Sequence, residues 1–359
     1  MAQKVLKVGV VGCGEIAQVA HLPLLQELPY FEVTALCDIS EKVLNYLGHT
    51  YKVTDLYTDY KELIANADVD IVLVANKDHA PITIAALKAG KHVFTEKPMC
   101  FNLEEAEEII KAEKANNVKL LVGTMKRYDP AFQYVLPLIK ELDDVHLVKV
   151  HDFGGDYSIN PDIYDEVKNT DLSDAVQAQL LATEKEKMVK AIGKDREDLV
   201  EAYSALMYNL IHDEILLHDA FGMPTSIEYV DVYNDTTVLA VLKYGDNIRC
   251  VFEGGLLLER RDWDEVFQVY ADSKNISVEF PFPYIKNAMS LVKINEQDEL
   301  DPKANVSKTV YVSYDEAFKK EWRHFYECVT EDKTPFNTSD KARNCIALNI
   351  DLIKSVKKA

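Results

Sequence analysis

Between Val5 and about Val122 the chain alternates short apolar, β-branched runs with stretches of helical period. The runs KVGVVG from Lys7, VTALCD from Val33, DIVLVAN from Asp70, KHVFTE from Lys91 and KLLVG from Lys119 mark strands. Ile71 to Val74 is apolar at every position, as expected of a strand covered by helices on both faces. Strand and helix in strict alternation predict a doubly wound parallel sheet, and the first domain is placed at residues 1–124.

The rhythm changes beyond about Met125. Charged helical segments occupy roughly Asp171 to Gly222, including a helix over Ala182 to Lys194, and alternating runs follow from Ser226 to Phe282. SIEYVDVY, TTVLAVLKY, IRCVFEGGLLL, VFQVYA and ISVEF, joined by turns such as Tyr-Gly-Asp-Asn and Asp-Ser-Lys-Asn, suit an antiparallel meander. Lys286 to Lys308 is polar and reads as an irregular surface loop, and two helices close the chain at about Tyr314 to Thr330 and Thr338 to Lys357. Residues 125–359 are thus expected to form an α+β domain with a large, mainly antiparallel open sheet. Its flat face is the expected surface for a homodimer or homotetramer.

Composition narrows the partners. Forty Lys and Arg against 60 Asp and Glu give a formal charge of −20, which repels nucleic acid and anionic lipid. A small phosphate-bearing ligand remains open, because backbone N–H groups bind phosphate whatever the net charge. The six cysteines have no zinc-like or redox-pair spacing and read as reduced thiols of a cytoplasmic protein. No His, Asp and Glu spacing suggests a metal site, and the first apolar run, Val8 to Val11, is too short for an export signal.

Directly after the first strand stands Gly12-Cys13-Gly14-Glu15-Ile16-Ala17, of the form G-x-G-x-x-A, followed by a helical stretch. Gly12 allows a tight turn, Gly14 lets backbone approach a pyrophosphate, and Ala17 lets helix pack closely on sheet. The next strand ends in Asp38, at the distance where a carboxylate accepts hydrogen bonds from the adenosine ribose; its other reading is a helix N-cap. Together they predict a Rossmann domain that binds NAD, since Asp38 would repel a 2′-phosphate.

The stretch Ala89-Gly90-Lys91-His92-Val93-Phe94-Thr95-Glu96-Lys97-Pro98 follows Asn76-Lys77-Asp78-His79 and an intervening helix. With the glycine turn, Lys126-Arg127-Tyr128-Asp129-Pro130 and the late Thr334-Pro335-Phe336, it resembles the glucose-fructose oxidoreductase and inositol dehydrogenase family, Gfo/Idh/MocA. The resemblance implies that Lys97 lies beside the nicotinamide. It also implies that Asn76, His79 and Glu96 join Gly12, Cys13, Gly14, Glu15, Ile16, Asp38 and Lys97 around the cofactor, and that Arg127 and Tyr128 border the substrate. Arg127 could equally serve a salt bridge, and His79 a structural turn. Independently, Pro98 biases Lys97 toward extended geometry at the ligand-binding edge of the sheet, with an X-Pro bond that can be cis.

Oxidising a carbinol also needs a proton acceptor, for which histidine is suited near neutrality. The helical run Tyr203 to Phe221 holds His212, which by resemblance aligns with the family's base; the alternative is a core histidine, and His218 and Asp219 lie close by. Where the family usually has an aspartate one turn earlier, this chain has Tyr208, which at i, i+4 could orient His212 or act as an acid or base itself. The expected function is NAD-dependent oxidation of a secondary hydroxyl of a sugar, polyol or glycoside, with catalytic residues Lys97, His212 and Tyr208. Lys97, Arg127, Tyr128 and His212 are the expected substrate contacts. Two alternatives stay open by resemblance: a redox-neutral enzyme that retains NAD and cleaves glycosides, and a non-catalytic NAD-binding regulator. Asp38→Ser is expected to weaken NAD binding and to improve relative NADP use, read as the ratio of the two dissociation constants; an unchanged ratio removes Asp38 from the ribose site.

Overall fold

The computed structural model describes residues 4–155 and 163–357 and divides into two compact units. The first gathers 1–123, 158–191 and 321–346; the second gathers 124–157, 192–320 and 347–359.

In the first unit the strands are β1 (Leu6–Val11), β2 (Phe31–Cys37), β3 (Asp55–Tyr57), β4 (Ile71–Val74), β5 (His92–Thr95) and β6 (Leu120–Val122). They form one six-stranded sheet in the order β3-β2-β1-β4-β5-β6. Each neighbouring pair is parallel, with Val8 beside Val33 and Val10 beside Leu73. The sense of winding reverses at β1, between β2 and β4, and a crevice at such a switch point is where open α/β sheets take their ligands. Beyond the expected strands, the short β3 extends the sheet past β2.

Local chemistry starts and stops the covering helices. Ser40 caps α2 (Glu41–Tyr51) by accepting from the Val43 N–H, Asp59 caps α3 (Tyr60–Asn66), and Asn102 caps α5 (Leu103–Asn116). Lys52 and Asn117 take left-handed conformations that end α2 and α5. Helix α4 (His79–Lys88) lies between β4 and β5. The six cysteines are free and buried, packing as small apolar groups.

The second unit is built on an eight-stranded sheet in the order β14-β13-β12-β11-β7-β10-β9-β8. The strands β8 (Ser226–Tyr233), β9 (Thr237–Tyr244), β10 (Ile248–Leu256), β11 (Asp264–Ala271) and β12 (Lys274–Phe280) coincide with the five expected runs. The meander is interrupted by β7 (Val145–Gly154), which inserts between β10 and β11, parallel to the former and antiparallel to the latter. Its segment was not recognised as a strand from sequence, although buried Val148, Val150 and Asp152 alternate along it.

The loop expected over Lys286 to Lys308 is corrected by the structure. It contains β13 (Leu291–Gln297) and the start of β14 (Asn305–Tyr311), which complete that end of the sheet. Val292 and Ile294 point into the core while Lys293 and Asn295 face outward, so the alternation was present but confined to a few residues in a polar segment. Among the described residues no helix is long and apolar enough to cross a membrane.

The integration of β13 is testable. Ile294→Ala should destabilise the protein by about 2–4 kcal/mol through the cavity it leaves. Lys293→Ala, which loses only a partly exposed pair with Glu279, should cost about 0–1 kcal/mol in the same urea-unfolding measurement.

Candidate dinucleotide site and its surroundings

The carboxyl end of the parallel sheet carries the predicted cofactor residues on the loops after β1, β2, β4 and β5. After β1, Gly12 has a φ of +89°, and a Cβ there would lie 2.2 Å from the Asn76 nitrogen, so only glycine fits the turn. A Cβ on Gly14 would meet nothing within 4 Å, which leaves backbone exposed to open space where a pyrophosphate needs to approach. The helical segment that follows includes a π turn at Ala17–His21 and continues as α1 (Leu22–Glu27), with Glu15 and Ile16 in its first turn.

Asp38 lies just past β2 and ties this turn to its neighbour. One carboxylate oxygen accepts from the Cys13 N–H at 2.8 Å and the other from the Ser40 N–H at 2.9 Å. Burial pushes its pKa up, with the two backbone hydrogen bonds opposing the rise. The N-cap of α2 is Ser40, so Asp38 does not fill that alternative role.

After β4, the Asn76 side-chain amide donates to the Asp78 carbonyl at 2.9 Å, while its buried oxygen finds no donor among the described residues. A buried acceptor without a donor fits a site completed by a ligand or water. With the glycine cradle it makes these loops suitable for a nicotinamide dinucleotide. His79, at the start of α4, is buried and donates from Nδ1 to the Pro98 carbonyl at 2.5 Å. Burial lowers its pKa, favouring the neutral ring.

Glu96 and Lys97 follow β5, and the Lys97–Pro98 bond is cis. Glu96 is buried. Its oxygens accept from His21 Nε2 at 2.8 Å and from the Lys97 backbone N–H at 3.1 Å. Burial would raise the Glu96 pKa, but the His21 hydrogen bond and nearby positive charge outweigh it and hold the group below its usual value. Trp322 donates its indole N–H to His21 Nδ1 at 3.0 Å. Because an indole can only donate, Nδ1 is the acceptor and Nε2 carries the proton given to Glu96.

The second unit holds the remaining predicted residues. Arg127 and Tyr128 lie buried in a 3-10 turn (Met125–Tyr128), and Arg127 makes a two-point ion pair with Asp219. The salt bridge offered for Arg127 is thus formed, with Asp219 as its partner. The run expected as one helix over Tyr203 to Phe221 is Val200–Ala205, a π turn at Leu206–Leu210, then Ile211–Phe221. Tyr208 lies in the π turn and His212 is the second residue of the last segment, so their i, i+4 spacing does not follow regular α geometry.

Comparison with known proteins bears on this arrangement. Residues 6–124 match a family described as an oxidoreductase family with an NAD-binding Rossmann fold, GFO_IDH_MocA. An inositol 2-dehydrogenase/D-chiro-inositol 3-dehydrogenase of Shouchella clausii is 39% identical over 132 residues, covering 35% of this chain and 38% of that protein. The chain thus spans well under half the length of that relative. Across nearly its whole length it shares its fold with a 3-ketoreductase mutant from Actinomadura kijaniata solved with TDP-benzene and NADP, with a TM-score of 0.73 and 18% identity over 97% of this chain and 96% of that one. A scyllo-inositol dehydrogenase from Lactobacillus casei gives a TM-score of 0.70 at 16% identity over 99% and 97%. In the matched domain, Gly12, Gly14, Asp38, Asn76 and Lys97 all stand at one edge of the sheet.

Sequence reading missed a buried charged cluster in the second unit. Oxygens of Asp152, Asp213 and Glu265 lie within 4.8 Å of one another, a grouping that could hold a metal ion. The Lys126 ammonium is ion-paired with Glu265 and lies 4.5 Å from the Phe280 ring centre. Trp263 donates to Glu265 at 2.7 Å and Asn209 to Asp152 at 3.1 Å. Neither Asp213 oxygen finds a donor among the described residues, and the neighbouring Asp152 carboxylate favours its protonated form. Burial pushes the Asp213 carboxyl well up, aided by Glu265 and Asp152 and opposed by Lys126. Burial likewise pushes Glu265 up to about 7, against the pull of Lys126. The one sequence signal was His212-Asp213-Glu214 inside an otherwise apolar helical run.

Folded carboxyls with raised pKa values retain protons that the unfolded chain releases, so their contribution to stability is present in acid and lost as pH rises toward and past 7. Asp213→Asn keeps the shape of the acid without its titration. The melting temperature of the variant should fall less than wild type between pH 5 and 8, the difference reaching up to about 1.4 kcal/mol per pH unit for one retained proton. Parallel profiles in thermal denaturation would show that Asp213 holds no such proton.

Proposed function

We propose that the chain is an NAD-dependent oxidoreductase that oxidises a secondary hydroxyl of a polyol, sugar or glycoside. The observation that carries the reading is Lys97 on the same sheet edge as the open Gly12–Gly14 turn and the Asp38 carboxylate. The match of residues 6–124 to an oxidoreductase family, and relatives named as inositol dehydrogenases, support the same class. Asp38 favours the unphosphorylated cofactor, since a carboxylate accepts from ribose hydroxyls and repels a 2′-phosphate.

A bound nicotinamide supplies the hydride acceptor. The roles of the chain's own side chains follow from charge. As the C–H bond breaks, its electron pair leaves with hydrogen, the O–H proton goes to the His212 imidazole, and a C=O bond forms. Lys97 donates to the substrate oxygen and stabilises the negative charge that builds there. Tyr208 orients or relays to His212 in place of the family's usual aspartate, and Arg127 and Tyr128 border the substrate, Arg127 held by Asp219. His79 and Glu96 support the cofactor loops, and Cys13, Glu15, Ile16 and Asn76 line them. The enzyme is read as a homodimer or homotetramer assembled through the large sheet.

Purified protein should produce NADH absorbance with at least one member of a panel of polyols and glycosides. Lys97→Ala should lower kcat/KM for that substrate by more than about tenfold, and His212→Ala by about a hundredfold or more. A variant of Lys97 within about tenfold of wild type would remove it from the reacting centre. Turnover of glycosides without net NADH, with NAD found by mass spectrometry in the purified protein, would replace this reading with the redox-neutral one.

A further inference from the structure

The segment preceding and including the helix Asp174–Ile192 belongs to the first unit, where it lies along the ligand-binding edge of the sheet. Three anchor points hold it there. Gln18, in the helical segment after the glycine turn, exchanges two hydrogen bonds with the Val167 backbone, at 3.1 and 3.0 Å. Gln18 also donates to the Cys13 carbonyl at 2.8 Å, so the same amide touches both the strap and the turn. At the far end, Lys187 binds Asp78 at 2.6 Å and Glu105 at 2.7 Å.

The middle anchor is the informative one. Asp171 accepts from the Ser40 hydroxyl at 2.5 Å through one oxygen and from the Lys42 backbone N–H at 3.0 Å through the other. Lys42 Nζ donates to the adjoining Thr170 hydroxyl at 2.8 Å. Ser40 and Lys42 follow Asp38 immediately, and Asp38 itself is held by the Ser40 N–H. In a dinucleotide fold the acid ending the second strand marks the ribose 2′ position, so the 2′-phosphate of NADP would have to lie beside it. A hydroxyl, a backbone N–H at the start of a helix and an ammonium are the donors such a phosphate would use. Here the chain's own strap takes all three, two of them with a carboxylate.

We propose that Asp171 is a cofactor-specificity residue, an internal anion seated where the 2′-phosphate would bind and thereby excluding phosphorylated dinucleotides. The inference rests on the dinucleotide reading above and deepens it: discrimination comes from two carboxylates on different segments, Asp38 at the strand end and Asp171 on the strap. Displacing Asp171 costs two hydrogen bonds, and leaving it in place sets a negative charge against the phosphate. NAD, with a hydroxyl at that position, meets neither penalty. The mutual repulsion of Asp38 and Asp171 adds to the upward push that burial exerts on Asp38, while the Ser40 hydroxyl and Lys42 N–H hold Asp171 below its usual value.

Fluorescence titration of the full chain with NADH and NADPH separates the possibilities. Wild type should bind NADH more tightly. Asp171→Ala, at an exposed position where folding should survive, should shift the ratio of the two dissociation constants toward NADPH by about tenfold or more. Asp171→Asn, which keeps the acceptor but removes the charge, should shift it in the same direction by less. If wild type binds NADH but both variants keep the ratio within about twofold, or lose NADH affinity without gaining NADPH affinity, Asp171 is not a specificity residue and the cofactor reading stands. If wild type binds neither nucleotide, the dinucleotide reading falls and takes this proposal with it.

Discussion

A buried carboxylate, Glu96, organises the edge of the first unit on which the candidate site stands. It joins three elements that are distant in sequence: the π turn after the glycine loop through His21, the end of β5 through the Lys97 N–H, and the late helix Ala317–Thr330 through the Trp322–His21 hydrogen bond. Trp322 also stacks on Phe94, with ring centres 4.5 Å apart, so apolar packing and the polar chain fix the same group. A buried charge of this kind is tolerable only with its partners in place; losing one typically costs about 3–5 kcal/mol. Lys97 is therefore presented by a backbone that has little freedom, which is what electrostatic stabilisation of a reacting oxygen requires.

The chain handles charge in two opposite ways. On the ligand edge of the first unit, an acidic protein can still receive an anionic cofactor, because the turn at Gly12 to Gly14 offers backbone rather than side chains and Asp38 engages two N–H groups. Inside the second unit, Asp152, Asp213 and Glu265 cluster around the Lys126 ammonium, which pairs with Glu265. Retained protons relieve the excess negative charge, and they tie the stability of that sheet to pH.

The strap over residues 167–187 connects these themes. It binds Gln18 after β1, Ser40 and Lys42 after β2, and Asp78 after β4, although the segment lies more than 80 residues beyond Asp78 in the chain. Its charge, like its position, becomes meaningful only beside Asp38.

Much of this was written locally in the sequence. The parallel strands, the glycine turn and the placement of Asp38 and Lys97 at strand ends were legible because each depends on neighbours within a few residues: an apolar run, a φ that only glycine tolerates, a proline after a lysine. The five strands from Ser226 to Phe280 were legible for the same reason. Strands β7, β13 and β14 were not, because short alternation in a polar context acquires its meaning from the strands beside it. The Arg127–Asp219 pair, the His21–Glu96–Trp322 chain and the acidic cluster were beyond reach as well, since each joins residues dozens to hundreds of positions apart. Periodicity and turn chemistry are properties of a few consecutive residues and survive in one dimension. Whether a carboxylate is buried, paired or protonated depends on what the fold places against it, and only the tertiary structure decides that.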